Sequence, residues 1–242
     1  MSFSQQKISL TIFFPCYNDK KTIQGLIEKA ETIARELTDD YEILAIDDGS
    51  SDGSREILKN LKTKYPRMRA IFHERNQGYG ATLQTGFYEA TKDFVFYTDG
   101  DGQYDVLELR KLIPLATNTV DIVNGYKIKR SDPWYRKALG AIYGLLAKIL
   151  FRIHIRDVNC DFRLMRRHIF DRLKLQSKGG AIGLELIKKA ELAGFKIVEC
   201  PVHHYSRSYG RSQFLNPRRI IQTVCDLIHL KLALRRQSSC QI

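Results

Sequence analysis

Phe94-Val95-Phe96-Tyr97-Thr98-Asp99-Gly100-Asp101-Gly102-Gln103 changes character halfway along. Phe94–Tyr97 is a short aromatic and β-branched run, the composition of a buried strand. It leads straight into two carboxylates one residue apart, extended by Gln103. The same junction of apolar run and polar turn recurs upstream. Ile8–Phe14 is stopped by Pro15, and Tyr41–Ile46 is closed by the cluster Asp47–Ser54. Arg69–Phe72 and Asp121–Asn124 read as two further strands. Helical segments separate them. In Asp19–Leu37, Ile23, Leu26, Ile27, Ala30, Ile33, Ala34 and Leu37 recur at helical spacing. Ser51–Lys64, Tyr79–Ala90 and Val106–Ala116 are read the same way. This alternation predicts an α/β domain with a mainly parallel sheet. Ligands bind such sheets outside the carboxyl ends of the strands, where these polar turns fall.

The second half reads differently. Trp134–Ile153 is a long helix with a broad apolar stripe; Lys137, Gly144, Lys148 and Arg152 recur on another face. Phe162–Met165 and Lys196–Val202 are strands, with a helix near Leu184–Leu192. A basic segment, Tyr205–Gln213, follows. A last helix starts at the N-cap Asn216, with Pro217 in its first position, and runs to about Arg236.

The whole chain is 242 residues, 43% hydrophobic and 27% charged, so it can bury a large core. Its net charge of +12 points to an anionic partner: nucleic acid, phosphorylated substrate or membrane surface. The charge is not spread evenly. Residues 1–125 hold 15 Lys and Arg against 19 Asp and Glu, a net of −4. Residues 126–242 hold 24 against 8, a net of +16. The polar N-terminus shows no secretory signal. The longest apolar stretch, Ala138 to Ala147, is well short of the ~20 residues a spanning helix needs. Cys16, Cys160, Cys200, Cys225 and Cys240 form no CxxC pair, which predicts reduced thiols in a cytosolic protein.

Four constellations can carry chemistry. Asp99 and Asp101 can converge on a hard cation, Mg²⁺ or Mn²⁺, or form an acidic surface turn. Asp47-Asp48-Gly49-Ser50-Ser51-Asp52-Gly53-Ser54 suits hydrogen bonding to a base or ribose. It also suits a turn in which Ser51 or Asp52 caps a helix. Phe14-Pro15-Cys16-Tyr17-Asn18 places an aromatic ring at the same edge, or merely stops a strand. Asn76-Gln77-Gly78-Tyr79-Gly80-Ala81 lacks both the P-loop ending and the third glycine of a dinucleotide fingerprint, which argues against an ATPase or dehydrogenase. His203 and His204 are adjacent in a strand and point to opposite faces, a poor metal pair.

Taken in order, these stretches resemble glycosyltransferase family 2: FFPCYND (13–19), DDGSSDGS (47–54), NQGYGAT (76–82) and YTDGDGQYD (97–105). RDVNCDFRLMRR (156–167) and HYSRSYGRSQF (204–214) are similar to the dolichol-phosphate-mannose-synthase-like branch and its bacterial relatives. The resemblance spans roughly residues 8–215. It implies an α/β GT-A fold: a Rossmann-like nucleotide-sugar half (1–125) with a mixed central sheet, and an acceptor half (126–242) with amphipathic helices. It implies an inverting transfer from a GDP- or UDP-sugar. Pro15, Tyr17, Asn18, Asp47 or Asp48, and Gly78 would hold the nucleotide. Asp99, Asp101 and Gln103 would hold Mg²⁺ or Mn²⁺. Arg207, Arg211 and Ser212 match a basic loop over the donor phosphates; Arg forks suit phosphate.

Asp157 lies where this branch often carries an acid near the acceptor, and Glu185 is a second candidate base. A hydroxyl acceptor needs a base, whereas a phosphate monoester does not. Relatives often have glycine where this chain has Asp161, which leaves Asp161 without a family-derived role. Lys129, Arg130 and Arg136 lie where an acceptor phosphate could be neutralised, or form a solvated basic face. The resulting expectation is transfer to a polyprenyl phosphate at the cytosolic face of an anionic membrane. A hydroxyl on a glycan or lipid-linked oligosaccharide is the alternative acceptor. The helices at 134–153 and 217–236 would lie on that membrane, or else pack in the core or form a dimer. A membrane-protein anchor, a homo-oligomer and a silent partner subunit stay open. A nucleic-acid partner is disfavoured, because the aromatic-plus-basic spacing of RNA modules is missing.

Overall fold

The computed structural model describes residues 8–130, 134–206 and 217–239. The first half supplies strands β1 (Ser9–Cys16), β2 (Asp40–Asp47), β3 (Met68–Phe72) and β4 (Phe94–Thr98). The second supplies β6 (Phe162–Arg166) and β7 (Ile197–His204), and β5 (Ile122–Arg130) runs across residue 125. They form one sheet in the order β3-β2-β1-β4-β6-β5-β7. The pairs β3–β2, β2–β1, β1–β4 and β5–β7 are parallel. β6 alone runs antiparallel, between β4 and β5. The sheet is therefore mixed, a reversal that the strand–helix alternation alone did not reveal.

Helices α1 (Ile23–Leu37), α2 (Ser54–Lys64) and α4 (Leu109–Leu112) pack on one face of the sheet. Helices α3 (Tyr79–Glu89), α6 (Ile169–Arg172) and α7 (Ile182–Leu192) pack on the other. β1 is buried on both sides: Leu10, Ile12 and Phe14 join the first layer, and Phe13 joins the second. Burial on both faces is why this strand is a continuous apolar run rather than an alternating one. Phe13, Phe87 and Tyr97 meet ring to ring at 5.3–5.4 Å in the second layer. A third cluster joins Ala147 and Phe151 of α5 (Trp134–Phe151), Leu184 and Ile187 of α7, and Leu230 of α8 (Pro217–Ser239).

Several boundaries differ from the sequence reading. α1 begins at Ile23 instead of Asp19, because Asn18 takes a left-handed φ of 59° and the chain turns before the helix starts. α2 begins at Ser54, since Gly53 holds φ +97° at its N-cap, a conformation open to glycine. The expected helix 106–116 is one turn of α4 between two 3₁₀ turns; Pro114 cannot donate a helical hydrogen bond. α6 is a single turn that no periodicity announced. No helix among the described residues is long and apolar enough to cross a membrane. Cys16, Cys160, Cys200 and Cys225 are free thiols.

Candidate active site

The parallel strands β1, β2 and β4 end on the same edge, and their turns are laced together there. Asn18 N–H donates to Ser50 Oγ (2.9 Å), and Asn18 Oδ1 accepts from Ser51 N–H (2.9 Å). Lys20 N–H donates to Asp52 Oδ2 at 3.0 Å. Pro15 closes β1 in the core, while Tyr17 is 36% exposed on the rim. The turn after β4 packs against this loop so closely that a Cβ on Gly100 would lie 2.5 Å from Pro15 O. Thr22 Oγ1 donates to Gly100 O at 2.7 Å, and Gly102 takes φ +74°. Glycine at both positions is thus a requirement of the turn.

That turn presents the acidic pair. Tyr79 OH donates to Asp99 Oδ1 at 2.7 Å, and Gln103 N–H donates to Asp101 Oδ1 at 3.0 Å. Both donors are neutral, so they aim the carboxylates without neutralising them. Gln103 Nε2 donates to Tyr205 O (3.0 Å), and Tyr205 N–H donates to Gln103 O (2.8 Å). These bonds orient the Gln103 amide and tie the turn to the end of β7. Two carboxylates and an amide oxygen are hard ligands that fit Mg²⁺ or Mn²⁺. Among the described residues there is no cluster of three or more His, Cys, Asp or Glu suited to a metal. A cation here would therefore take its remaining ligands from substrate or water, as Mg²⁺ commonly does.

Asp47 and Asp48 do different jobs. Asp48 accepts from Gln77 N–H (2.8 Å), Gly78 N–H (3.0 Å) and His73 Nδ1 (2.8 Å), and so holds the 76–78 loop. Asp47 Oδ2 accepts from Arg55 Nε at 2.6 Å, but its buried Oδ1 has no partner among the described residues. A buried acceptor left unpaired costs roughly 1–3 kcal/mol, which an incoming N–H or O–H donor would recover. Of the two, Asp47 keeps an oxygen for a ligand.

The glycines of the 76–80 loop are also explained. A Cβ on Gly78 would lie 2.7 Å from Lys178 O, and one on Gly80 2.2 Å from Ser177 O. Both positions are pressed against the segment before α7. Gly80→Ala is expected to destabilise the fold by about 1–3 kcal/mol through overpacking, measured by urea denaturation.

Beneath the acidic turn lies a buried network. The Arg163 side chain is fully buried. It donates from Nε to Asn124 Oδ1 (2.6 Å), from one terminal nitrogen to Val158 O (2.6 Å), and from the other to Tyr97 OH. Asp161 Oδ1 accepts from Tyr97 OH at 3.2 Å and lies 3.5 Å from the Arg163 guanidinium. Burial pushes the Asp161 carboxyl above its ordinary range, opposed by Arg163 and Lys127. Asn124 Nδ2 also donates to Asp157 O, which continues the network outward. At Asp157, burial raises the carboxyl, but Lys127 at 3.3 Å and the Asn159 N–H outweigh it. Asp157 therefore stays ionised, as one half of an ion pair.

The other expected residues are placed as follows. Glu185 is 1% exposed, and its carboxylate is occupied by two backbone N–H groups and Lys189. The structure does not bring it to the site as a base; its oxygens already hold the chain. Lys129 and Arg130 close β5, and Arg136 lies at the start of α5; their side chains fall outside the described part. Arg207, Arg211 and Ser212 lie outside the described residues. His203 pairs with Glu108 at 2.5 Å, and His204 packs edge-on against Tyr104. Beside the site, a groove of 390 Å³ runs between α5 and the 153–159 segment. Lys127, Lys148 and Arg156 edge it, and Gly140, Gly144 and Leu145 form part of its wall.

Sequence reasoning missed Tyr79, Tyr97, Asn124 and Arg163. Tyr79 stood within the quoted glycine loop. Nothing in an apolar strand pattern signals that Arg163 is buried.

A mixed sheet with an acidic turn at its carboxyl edge, backed by an antiparallel strand from the second half, defines a GT-A glycosyltransferase. The chain belongs to glycosyl transferase family 2, whose model matches residues 11–174. Among solved structures it is similar to glucosyl-3-phosphoglycerate synthase from Mycobacterium tuberculosis. The complex with Mn²⁺, UDP and phosphoglyceric acid superposes with a TM-score of 0.72 at 16% identity, covering 93% of this chain and 78% of that one. The complex with Mn²⁺, UDP-glucose and phosphoglyceric acid gives 0.69 at 18% identity, covering 93% and 80%.

Proposed function

We propose that this glycosyltransferase moves one sugar from a UDP- or GDP-sugar to a polyprenyl phosphate, with inversion, at an anionic membrane surface. The observation that carries the donor side is the turn 99–103 at the sheet edge, where Tyr79 OH holds Asp99 and the Gln103 N–H holds Asp101. Residues 1–125 would hold the donor and residues 126–242 the acceptor. The similar synthase has been crystallised with Mn²⁺ and UDP, which supports the same donor chemistry here.

Asp99, Asp101 and Gln103 would hold Mg²⁺ or Mn²⁺. When bound, such an ion offsets the charge that builds on the departing diphosphate. The chain's own groups do the rest. Tyr79 and the Gln103 N–H fix the carboxylates. Asp47 Oδ1 accepts from the base or ribose, with Tyr17 against the ring and Pro15, Asn18 and Gly78 shaping the edge. Arg207, Arg211 and Ser212, which lie outside the described residues, would pair with the phosphates. An acceptor phosphate oxygen attacks the anomeric carbon in line, and the bond to the diphosphate oxygen breaks on the opposite side. The attacking acceptor oxygen is already anionic, so no base is needed. Lys129, Arg130 and Arg136 would attract the acceptor phosphate.

The acceptor's tail would lie along the membrane side. α5 exposes Ile142, Leu145, Leu146, Ile149 and Leu150, and α8 exposes Ile221, Val224, Ile228 and Leu232. The two helices share a core cluster, so these stripes belong to adjacent elements. Apolar stripes on a half with net charge +16 suit insertion among anionic headgroups. These stripes support a peripheral enzyme on the cytosolic face of a membrane.

A second reading, transfer to a glycan hydroxyl, draws support from Asp161, whose raised carboxyl near the acidic turn suits a base. Asp161→Asn separates the two. It should cost a hydroxyl acceptor at least about a hundredfold in rate and a phosphate acceptor little.

The donor side is tested by thermal shift with UDP- and GDP-sugars, each with and without Mn²⁺. At about 100 times its dissociation constant, the true donor should stabilise the fold by about 2.7 kcal/mol, and only with the metal. No shift with any donor would contradict the reading.

A further inference from the structure

Residues 176–180, between α6 and α7, touch three parts of the molecule at once. Glu185 of α7 fixes their start by accepting from Gln176 N–H (3.0 Å) and Ser177 N–H (2.7 Å). The next two carbonyls face α3: Gln84 Nε2 donates to Ser177 O (2.9 Å), and Gly80 N–H donates to Lys178 O (2.8 Å). Gly179 N–H then donates to Asp226 Oδ2 of α8 at 3.1 Å. From α8 the path runs through Gly179, Lys178 and Gly80 to Tyr79, whose hydroxyl aims Asp99.

Asp226 is out of place on its face of α8. Leu227, Leu230 and Leu234 pack inward there, yet Asp226 is only 7% exposed among them. A buried carboxylate is expensive unless it is hydrogen-bonded. Its bonds come from two neutral donors, Gly179 N–H and Gln222 Nε2 (2.7 Å). The opposite face of the same helix carries the exposed Ile221, Val224, Ile228 and Leu232.

We infer that residues 176–180 form a strap coupling the docking of α8 to the donor site, with Asp226 as its positioning residue. The inference rests on the donor and membrane readings above. The strap is closely packed: its carbonyls lie 2.7 and 2.2 Å from where Cβ atoms on Gly78 and Gly80 would fall. Packed contacts of this kind pass a displacement on rather than absorb it. A lipid surface that fixes the outer face of α8 thus fixes Asp226, the strap, Tyr79 and Asp99. Linkage makes the effect reciprocal: the factor by which lipid tightens nucleotide binding is the factor by which nucleotide tightens lipid binding.

The test uses the full chain, Mn²⁺ with UDP or GDP, and vesicles of phosphatidylglycerol and phosphatidylcholine, read by calorimetry. Vesicles should raise the affinity for whichever nucleotide binds by about fivefold or more. Asp226→Ala should weaken nucleotide binding about tenfold without vesicles and lose the response to them, while still sedimenting with them. Asp226→Asn keeps an acceptor for Gly179 N–H and should retain the response. A purely structural role would lower thermal stability and leave the response intact. An unchanged vesicle response in Asp226→Ala therefore overturns the inference. Should that variant not fold, amide exchange of the wild type decides: vesicles should slow exchange at residues 78–80 and 176–180. Unchanged exchange there, or no vesicle binding at all, overturns the strap. A wild type that binds neither nucleotide contradicts the donor reading instead, and exchange then judges the strap alone.

Discussion

Asp101→Ala is expected to reduce sugar transfer by at least about a thousandfold, since it removes one of the two carboxylates proposed to hold a cation against the leaving diphosphate. The fold should survive, because Asp101 sits on a turn outside the core, where it accepts from the Gln103 N–H two residues on. Initial rates with a labelled donor, beside a melting curve, separate the two effects. A variant that melts like the wild type yet transfers normally would remove the metal assignment. Asp99 has a second duty, as the acceptor for Tyr79 OH, so Asp99→Ala should disturb both the acidic turn and the 76–80 loop.

Arg163→Ala is expected to have the largest effect on stability, about 3–5 kcal/mol. The guanidinium holds Asn124, Tyr97, Val158 O and Asp161 together in the interior. Its loss leaves the Asp161 carboxylate without its nearest cation and several acceptors unpaired. At about 2–4 °C per kcal/mol for a chain of this size, the melting point should fall by roughly 10 °C. Adding Asp161→Asn should recover part of the loss, because it removes the stranded charge. A melting point within a degree or two of the wild type would show that the network is not what holds β6 in place.

The alternation of Ile8–Phe14, Tyr41–Ile46 and Phe94–Tyr97 with helical segments was legible because each strand is buried on both faces and each helix on one. The acidic turn was legible because strand ends mark themselves with polar residues and glycine. The reversal of β6 was not. A five-residue apolar strand has the same pattern whichever way it runs, and only its partners fix the direction. Tertiary partners also decide what individual residues do. Glu185 has the chemistry of a base, but its oxygens are held by Gln176, Ser177 and Lys189. Gly78 and Gly80 look like a phosphate loop, yet what they make room for is the strap before α7. Arg163 lies in the basic half of the sequence, yet its side chain is the centre of the interior network.

The central claim is transfer from a nucleotide-diphosphate sugar to a phosphate on lipid. Its most direct measurement uses anionic vesicles loaded with polyprenyl phosphate, Mn²⁺, and UDP- and GDP-sugars labelled in the sugar. Label is expected in the lipid phase as a glycosyl phosphate that mild acid releases, and none once EDTA is added. Transfer undiminished by EDTA, or label that stays with the nucleotide for every donor, would contradict it.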